Sequence, residues 1–224
     1  MCRRFVSELS RSRGRVVRAT YRPRVPREPR IEVPGATYHV GSKGKRGCVI
    51  YEDDLERKVF LKLLSLTTQR FGWICHAYVL MSNHFHLLVQ LDVGGLSDGM
   101  PWLNGCFAKF SNRRNGYAGQ HLFRNRFWSE LLVDDSHLLE TARYIVLNPV
   151  RANICEKPED WAWSSYRACA GLDFPPRFLA VTQHLRLFGS APSVARRAYR
   201  EFVHDGVHAP RPRVRHGDGL RARR

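Results

Sequence analysis

Two short segments hold the residues best suited to chemistry. Asn83-His84-Phe85-His86-Leu87-Leu88-Val89 carries two histidines two positions apart. Alternate side chains of a β-strand share a face, so both imidazoles would point one way while Phe85, Leu87 and Val89 point into a core. Two neutral imidazoles so spaced can chelate one divalent cation. A hydrogen-bonded surface pair would show the same spacing, so the histidines alone leave both readings open. The second segment is Tyr144-Ile145-Val146-Leu147-Asn148. On a helix, residues four apart lie on one face, which sets Tyr144 and Asn148 side by side. The Asn148 amide oxygen is a candidate third ligand beside His84 and His86, with coordination positions left for a phosphate oxygen. Among the eight tyrosines, only Tyr144 has both a possible ligand one turn away and basic flanks, Arg143 and Arg151.

These groups need elements to position them. Thr37 lies in a short strand over 36–40, followed by a Gly- and Lys-rich loop over 41–47. Asp53 or Asp54 caps a helix over 55–70, where Leu55, Val59, Leu63 and Leu66 recur at helical spacing. Two apolar runs, 74–81 and 84–91, read as a strand pair around Ser82-Asn83. A loop over 94–101 leads to a helix over 102–114, and a further strand covers 127–133. Asp134-Asp135-Ser136 supplies an N-cap for a third helix from His137 towards Leu147, ended by Pro149, with Leu138, Ala142 and Ile145 placed to pack on a sheet. Val194 to Val203 is the clearest later helix. The order is that of a split βαβ, α+β ferredoxin-like domain: an antiparallel sheet with helices on one face and the other face open to a ligand. Residues 1–30 read as a basic arm, 31–155 as the domain carrying both motifs, 156–206 as a helical extension and 207–224 as a basic tail.

Charge narrows the partner. The net charge is +17 over 224 residues. Residues 1–29 contribute +7 and residues 207–224 contribute +5. Arginine-rich ends on a compact body suit a polyanion, because neutralised phosphates release condensed counterions. Lys43, Lys45 and Arg46 in the first loop, Arg124 and Arg126 before the last strand, and Arg143 and Arg151 beside the tyrosine are the candidate DNA contacts. Phe127 and Trp128 add aromatic surface there; strand alternation sends one into the core and leaves the other for base stacking. His39 reads as a neighbour of the ligands or a satisfied polar residue. Trp161 and Trp163 read as packing residues. No apolar run approaches the roughly 20 residues of a membrane span, and six scattered cysteines without a CxxC pair suit a reduced cytoplasmic, nucleoid-associated protein.

The segments Ala36 to Val40, His76 to Leu88, Arg143 to Ala152 and Trp161 to Tyr166 resemble the REP-associated tyrosine transposases. That family belongs to the His-hydrophobic-His single-tyrosine endonucleases, and the likeness runs from about residue 35 to about residue 204. It implies His84 and His86 as ligands of Mg²⁺ or Mn²⁺, Asn148 as the residue completing the site, and Tyr144 as the nucleophile. It further implies recognition of DNA hairpins with cleavage in adjacent single strand through a 5′-phosphotyrosine. Ser82 stands where many relatives have proline, and the loop Ser42 to Arg46 departs from their Asn/Arg-rich version. Two other readings remain: a non-catalytic hairpin DNA- or RNA-binding regulator with this fold, and a small-molecule metalloenzyme. The latter needs a carboxylate ligand that is not found beside the motif. Monomer and homodimer are equally compatible with the sequence.

Overall fold

A computed structural model describes residues 32–92, 95–117 and 119–209; the arm read at 1–30 and the tail from 210 onward lie outside them. Strand β1 (Thr37–Lys43) leads through a short 3-10 turn into helix α1 (Asp54–Phe71). Strands β2 (Trp73–Leu80) and β3 (His84–Leu91) follow, then α2 (Leu96–Asn115), β4 (Trp128–Leu131) and α3 (Asp135–Val146). Four short or C-terminal helices complete the described chain: α4 (Asn148–Arg151), α5 (Tyr166–Ala170), α6 (Val181–Leu185) and α7 (Pro192–Asp205). The sheet order is β2-β3-β1-β4 and every pair is antiparallel. With β3 inserted between β1 and β2, this is the ferredoxin-like arrangement read from the sequence.

Local signals account for most element boundaries. The Asp53 carboxylate accepts the Glu56 N–H at 3.0 Å and caps α1, while Gly72, in the left-handed conformation at φ 65°, ends it. Asp134 does the same for α3 through the His137 N–H at 2.7 Å. Helix α2 corrects the sequence reading, since it begins at Leu96, with Pro101 inside it, where a loop through residue 101 was expected. Its cap comes from far along the chain: the Glu32 carboxylate accepts the N–H groups of Gly95, Leu96 and Ser97. A carboxylate there also meets the positive end of the helix dipole.

The sheet is covered on both sides, which corrects the expectation of one open face. Helices α1 and α2 take the face of Tyr38, Val40, Phe85, Leu87 and Val89, where the Phe60 ring lies 4.7 Å from Phe85 and 5.3 Å from Phe107. On the opposite face Ala77, Val79, Met81, Leu88 and Leu132 form a second cluster with Leu138, Ala142 and Ile145 of α3. Strands β2 and β3 are buried along nearly their whole length, and strands apolar on both faces need cover on both.

The C-terminal segment closes the free edge of β2. Leu80 N–H donates to the Trp163 carbonyl, Ser165 N–H to Tyr78 and Ala180 N–H to Cys75, at 2.8 to 2.9 Å. Pairing of this kind removes an edge that would template association. Trp161 donates its indole N–H to Leu80 at 3.2 Å and Arg57 lies over both Trp161 and Trp163, in keeping with packing roles. No helix among the described residues is long and apolar enough to cross a membrane.

Candidate active site

Strand alternation on β3 divides the motif as its spacing requires. Phe85 is in the α1/α2 core, whereas His84 and His86 share the other face, their rings 5.0 Å apart and nearly perpendicular. Across the sheet, His86 is in register with Gly41 of β1, and Gly41 with Trp128 of β4. Glycine is required at that crossing. A Cβ on Gly41 would come within 2.7 Å of the Trp128 ring and 2.4 Å of the Phe85 carbonyl oxygen. With no side chain there, Trp128 lies edge-on to His39 at 4.5 Å and 5.5 Å from His86.

Helix α3 brings the phenol. Tyr144, in its last turn, is half-buried, with its ring centroid 5.7 Å from His86 and 6.0 Å from His39. The helix stops at Val146 and resumes as α4 at Asn148, with Leu147 still in the right-handed helical region. Pro149 therefore interrupts the ladder without ending the helical path, because its nitrogen has no hydrogen to donate. The Arg151 guanidinium, from α4, sits 5.7 Å from the centre of the Tyr144 ring and donates to the Gly206 carbonyl at 3.1 Å.

The hydrogen bonds of the two histidines set which nitrogen a cation would meet. Nδ1 of His84 is 2.7 Å from Oδ1 of Asn83, whose amide nitrogen donates to Gly47. An amide oxygen only accepts, so His84 donates from Nδ1 and carries its lone pair on Nε2. Nδ1 of His86 is 3.0 Å from Nε2 of the fully buried His39. In the tautomer in which His86 donates to His39, the lone pair of His86 also lies on Nε2; in the reverse tautomer the hydrogen lies there instead. His84 thus fits the arrangement in which a neighbour holds the far nitrogen of a metal-binding imidazole, and His86 fits it in the first of these tautomers. Nδ2 of Asn148 is buried with no hydrogen-bond partner among the described residues, and reversing that amide would put its oxygen in the same place. No group of three or more His, Cys, Asp or Glu able to hold a metal occurs among the described residues.

The basic residues divide into two sets. Lys43, Lys45, Arg46, Arg124 and Arg126 are all exposed. The Arg124 N–H donates to the Lys43 carbonyl at 2.8 Å and the Lys45 N–H to Leu122 at 3.0 Å, which gathers three of them at the sheet end that carries His84, opposite Lys43. Arg143 is not gathered there. Its guanidinium is bonded to Glu140 at 2.6 and 2.7 Å, reaches the Phe202 carbonyl and stacks 4.3 Å from the Phe202 ring of α7. Phe127 is the aromatic that enters the core and Trp128 the one that stays on the site face. Sequence reasoning left His39 open; its pairing with His86 depends on a diagonal across β1 and β3, which no spacing along one strand reveals.

A ferredoxin-like sheet with paired histidines on one face and a tyrosine helix over them defines the class of fold. No family model matches the chain, and no curated protein is detectably similar to it in sequence. Among solved structures, the chain is similar to a REP-associated tyrosine transposase bound to a REP hairpin, with a TM-score of 0.55 and 16% identity, covering 70% of this chain and 92% of that one. That likeness shows the fold. A structure from Deinococcus radiodurans R1, whose assignment as a transposase is provisional, aligns at a TM-score of 0.38 and 16% identity over 54% of this chain and 94% of that one.

Proposed function

We propose that this chain is a metal-dependent endonuclease and strand transferase for single-stranded DNA beside hairpins, with Tyr144 as nucleophile. The observation that carries the reading is the meeting of a half-buried phenol with the His86 and His39 rings at 5.7 and 6.0 Å. Tyr144 and His86, 58 positions apart in sequence, share one site, as a nucleophile and a metal ligand would.

His84, His86 and Asn148 would hold Mg²⁺ or Mn²⁺. Such an ion, when bound, neutralises charge on a phosphate oxygen and so favours attack by an anionic or partly anionic nucleophile. The chain's own part is positional. His39 and Asn83 fix the two imidazoles, and the α3–α4 junction fixes the phenol over them. Arg151 places a permanent positive charge beside the ring that becomes a phosphate ester. Attack by the Tyr144 oxygen on phosphorus breaks the bond to the 3′ oxygen. The products are a 5′-phosphotyrosine and a 3′-hydroxyl, which takes up the proton the phenol gives up. The ester conserves the energy of the broken linkage, so a second 3′-hydroxyl can reverse the step and join strands. The exposed Lys43, Lys45, Arg46, Arg124 and Arg126 supply backbone contacts beside the site, and Trp128 offers an aromatic edge there.

The test is incubation of the full chain with labelled single-strand hairpin DNA and Mg²⁺ or Mn²⁺, followed by denaturing electrophoresis. The reading predicts a metal-dependent covalent adduct that Tyr144→Phe abolishes. Hairpin binding that survives both Tyr144→Phe and chelation, with no adduct under any condition, would instead identify a non-catalytic regulator.

A further inference from the structure

At the opposite end of α3 from Tyr144 the same sheet face carries a cavity of about 350 Å³. Its polar lining includes Thr37, His76, Gln90 and Gln183, and its apolar walls include Leu138 and Leu187. It lies within the size range of small-ligand sites. The polar groups form a chain: His76 Nε2 lies 3.3 Å from Gln90 Oε1, and Gln183 donates its amide N–H to the same oxygen at 3.3 Å. His76 is only 4% exposed, yet its Nδ1 has no hydrogen-bond partner among the described residues. A buried ring nitrogen left so is costly unless something satisfies it.

The lining excludes some occupants. It includes Asp134 and Asp135 and no lysine or arginine, so it does not suit a phosphate or carboxylate. Gln90 also donates its amide N–H to the Gly35 carbonyl at 3.0 Å; primary amides with an imidazole offer both donors and acceptors, and leucines offer apolar contact. That is the chemistry that reads the edge of a nucleobase while covering its faces.

Position connects the cavity to the candidate active site. Gln90 lies four residues beyond His86 on β3, about 13 Å along a strand. Asp135 lies nine residues before Tyr144, about 14 Å along a helix. At 3.4 Å per stacked nucleotide, and more when stretched, that distance equals about two to four nucleotides. We propose that this cavity is a specificity pocket that takes one unpaired base of the DNA strand, two to four nucleotides from the phosphate at Tyr144. The proposal rests on the nuclease reading for its substrate, but its test does not require cleavage.

Short single strands and hairpins with single-strand flanks are prepared with one abasic site walked along the flank, and their binding to the full chain is followed by fluorescence anisotropy. The pocket predicts one position where loss of the base weakens binding about tenfold, the scale of one well-made bidentate base contact. Gln90→Ala and Gln183→Ala should each weaken the intact strand and add nothing further on the strand lacking that base. Where cleavage is also seen, the sensitive position should lie two to four nucleotides from the cut. Base-dependent binding without any adduct would retain the pocket and overturn the nuclease. Cleavage with a flat abasic scan, or glutamine variants that weaken intact and abasic strands alike, would retain the nuclease and overturn the pocket. Failure to bind any strand would overturn both.

Discussion

Gly41 and His39 show how closely the site depends on single atoms. Gly41 is the one position in β1 flanked by both His86 and Trp128. In Gly41→Ala the new methyl would meet the Phe85 carbonyl oxygen at 2.4 Å, backbone that cannot swing aside. The substitution is expected to displace Trp128 and separate β1 from β3, lowering adduct formation at least tenfold with a measurable fall in Tm. Retained activity would mean the Trp128 edge is dispensable. His39→Ala removes the group that holds Nδ1 of His86. Loss of such an orienting partner costs about 10- to 100-fold in metal affinity, so Mn²⁺ titration should show that weakening while the far-ultraviolet circular dichroism stays unchanged. Unchanged Mn²⁺ affinity would make His39 a packing residue only.

At the level of elements, the Glu32 cap of α2 and the His76–His184 region each make a distinct prediction. Glu32→Ala leaves three helix N–H groups without their carboxylate and should cost about 1–2 kcal/mol in chemical denaturation. His184 is buried against Phe188 and Tyr199; that burial first, and the neighbouring His76 second, hold it at about 3. The folded chain thus keeps this ring neutral, while in the unfolded chain it takes a proton near pH 6.5. Its contribution to stability is present above about pH 6.5 and is lost as pH falls towards 3. Burial lowers His76 in the same direction. Tm should therefore fall between pH 6.5 and 4, less steeply in His184→Gln; equal slopes would contradict the assignment. The elements themselves were legible where their signals were local. The pair Asp53-Asp54 and the run Asp134-Asp135-Ser136 announced the starts of α1 and α3, and alternation in His84-Phe85-His86 announced which side of β3 was core. The start of α2 was not legible, because Gly95 and Pro101 look like loop residues and the capping carboxylate is more than sixty positions away. Nor was the face taken by α3. Its apolar stripe required a sheet, but the continuous apolar runs of β2 and β3 serve either side. The candidate site was readable as two motifs; the His39 contact, the Gly41 gap and the diversion of Arg143 to Glu140 arise only when four elements meet.

Across the whole molecule, charge and the C-terminal helix frame that site. The exposed cations at the His84 end of the sheet should grip DNA through its backbone. Each single-strand phosphate neutralised contributes about −0.7 to the slope of log affinity against log salt. Replacing Lys45 and Arg124 by glutamine should therefore make that slope shallower by about 1 to 2, and an unchanged slope would put the DNA elsewhere. Helix α7 meets α3 through Arg143 on Phe202, and the Gly206 carbonyl just past its end accepts from Arg151 of α4, so the C-terminal segment supports the position of the phenol as well as closing the edge of β2. The account as a whole depends on the oxygen of Tyr144 being the atom that attacks DNA. Its most direct test is to digest the adduct with nuclease and protease and locate the residual nucleotide by tandem mass spectrometry. The account predicts a 5′-phosphodeoxynucleotide on the Tyr144 peptide, formed only with a divalent cation. A nucleotide on any other residue, or an equal yield from His86→Ala protein, would contradict it.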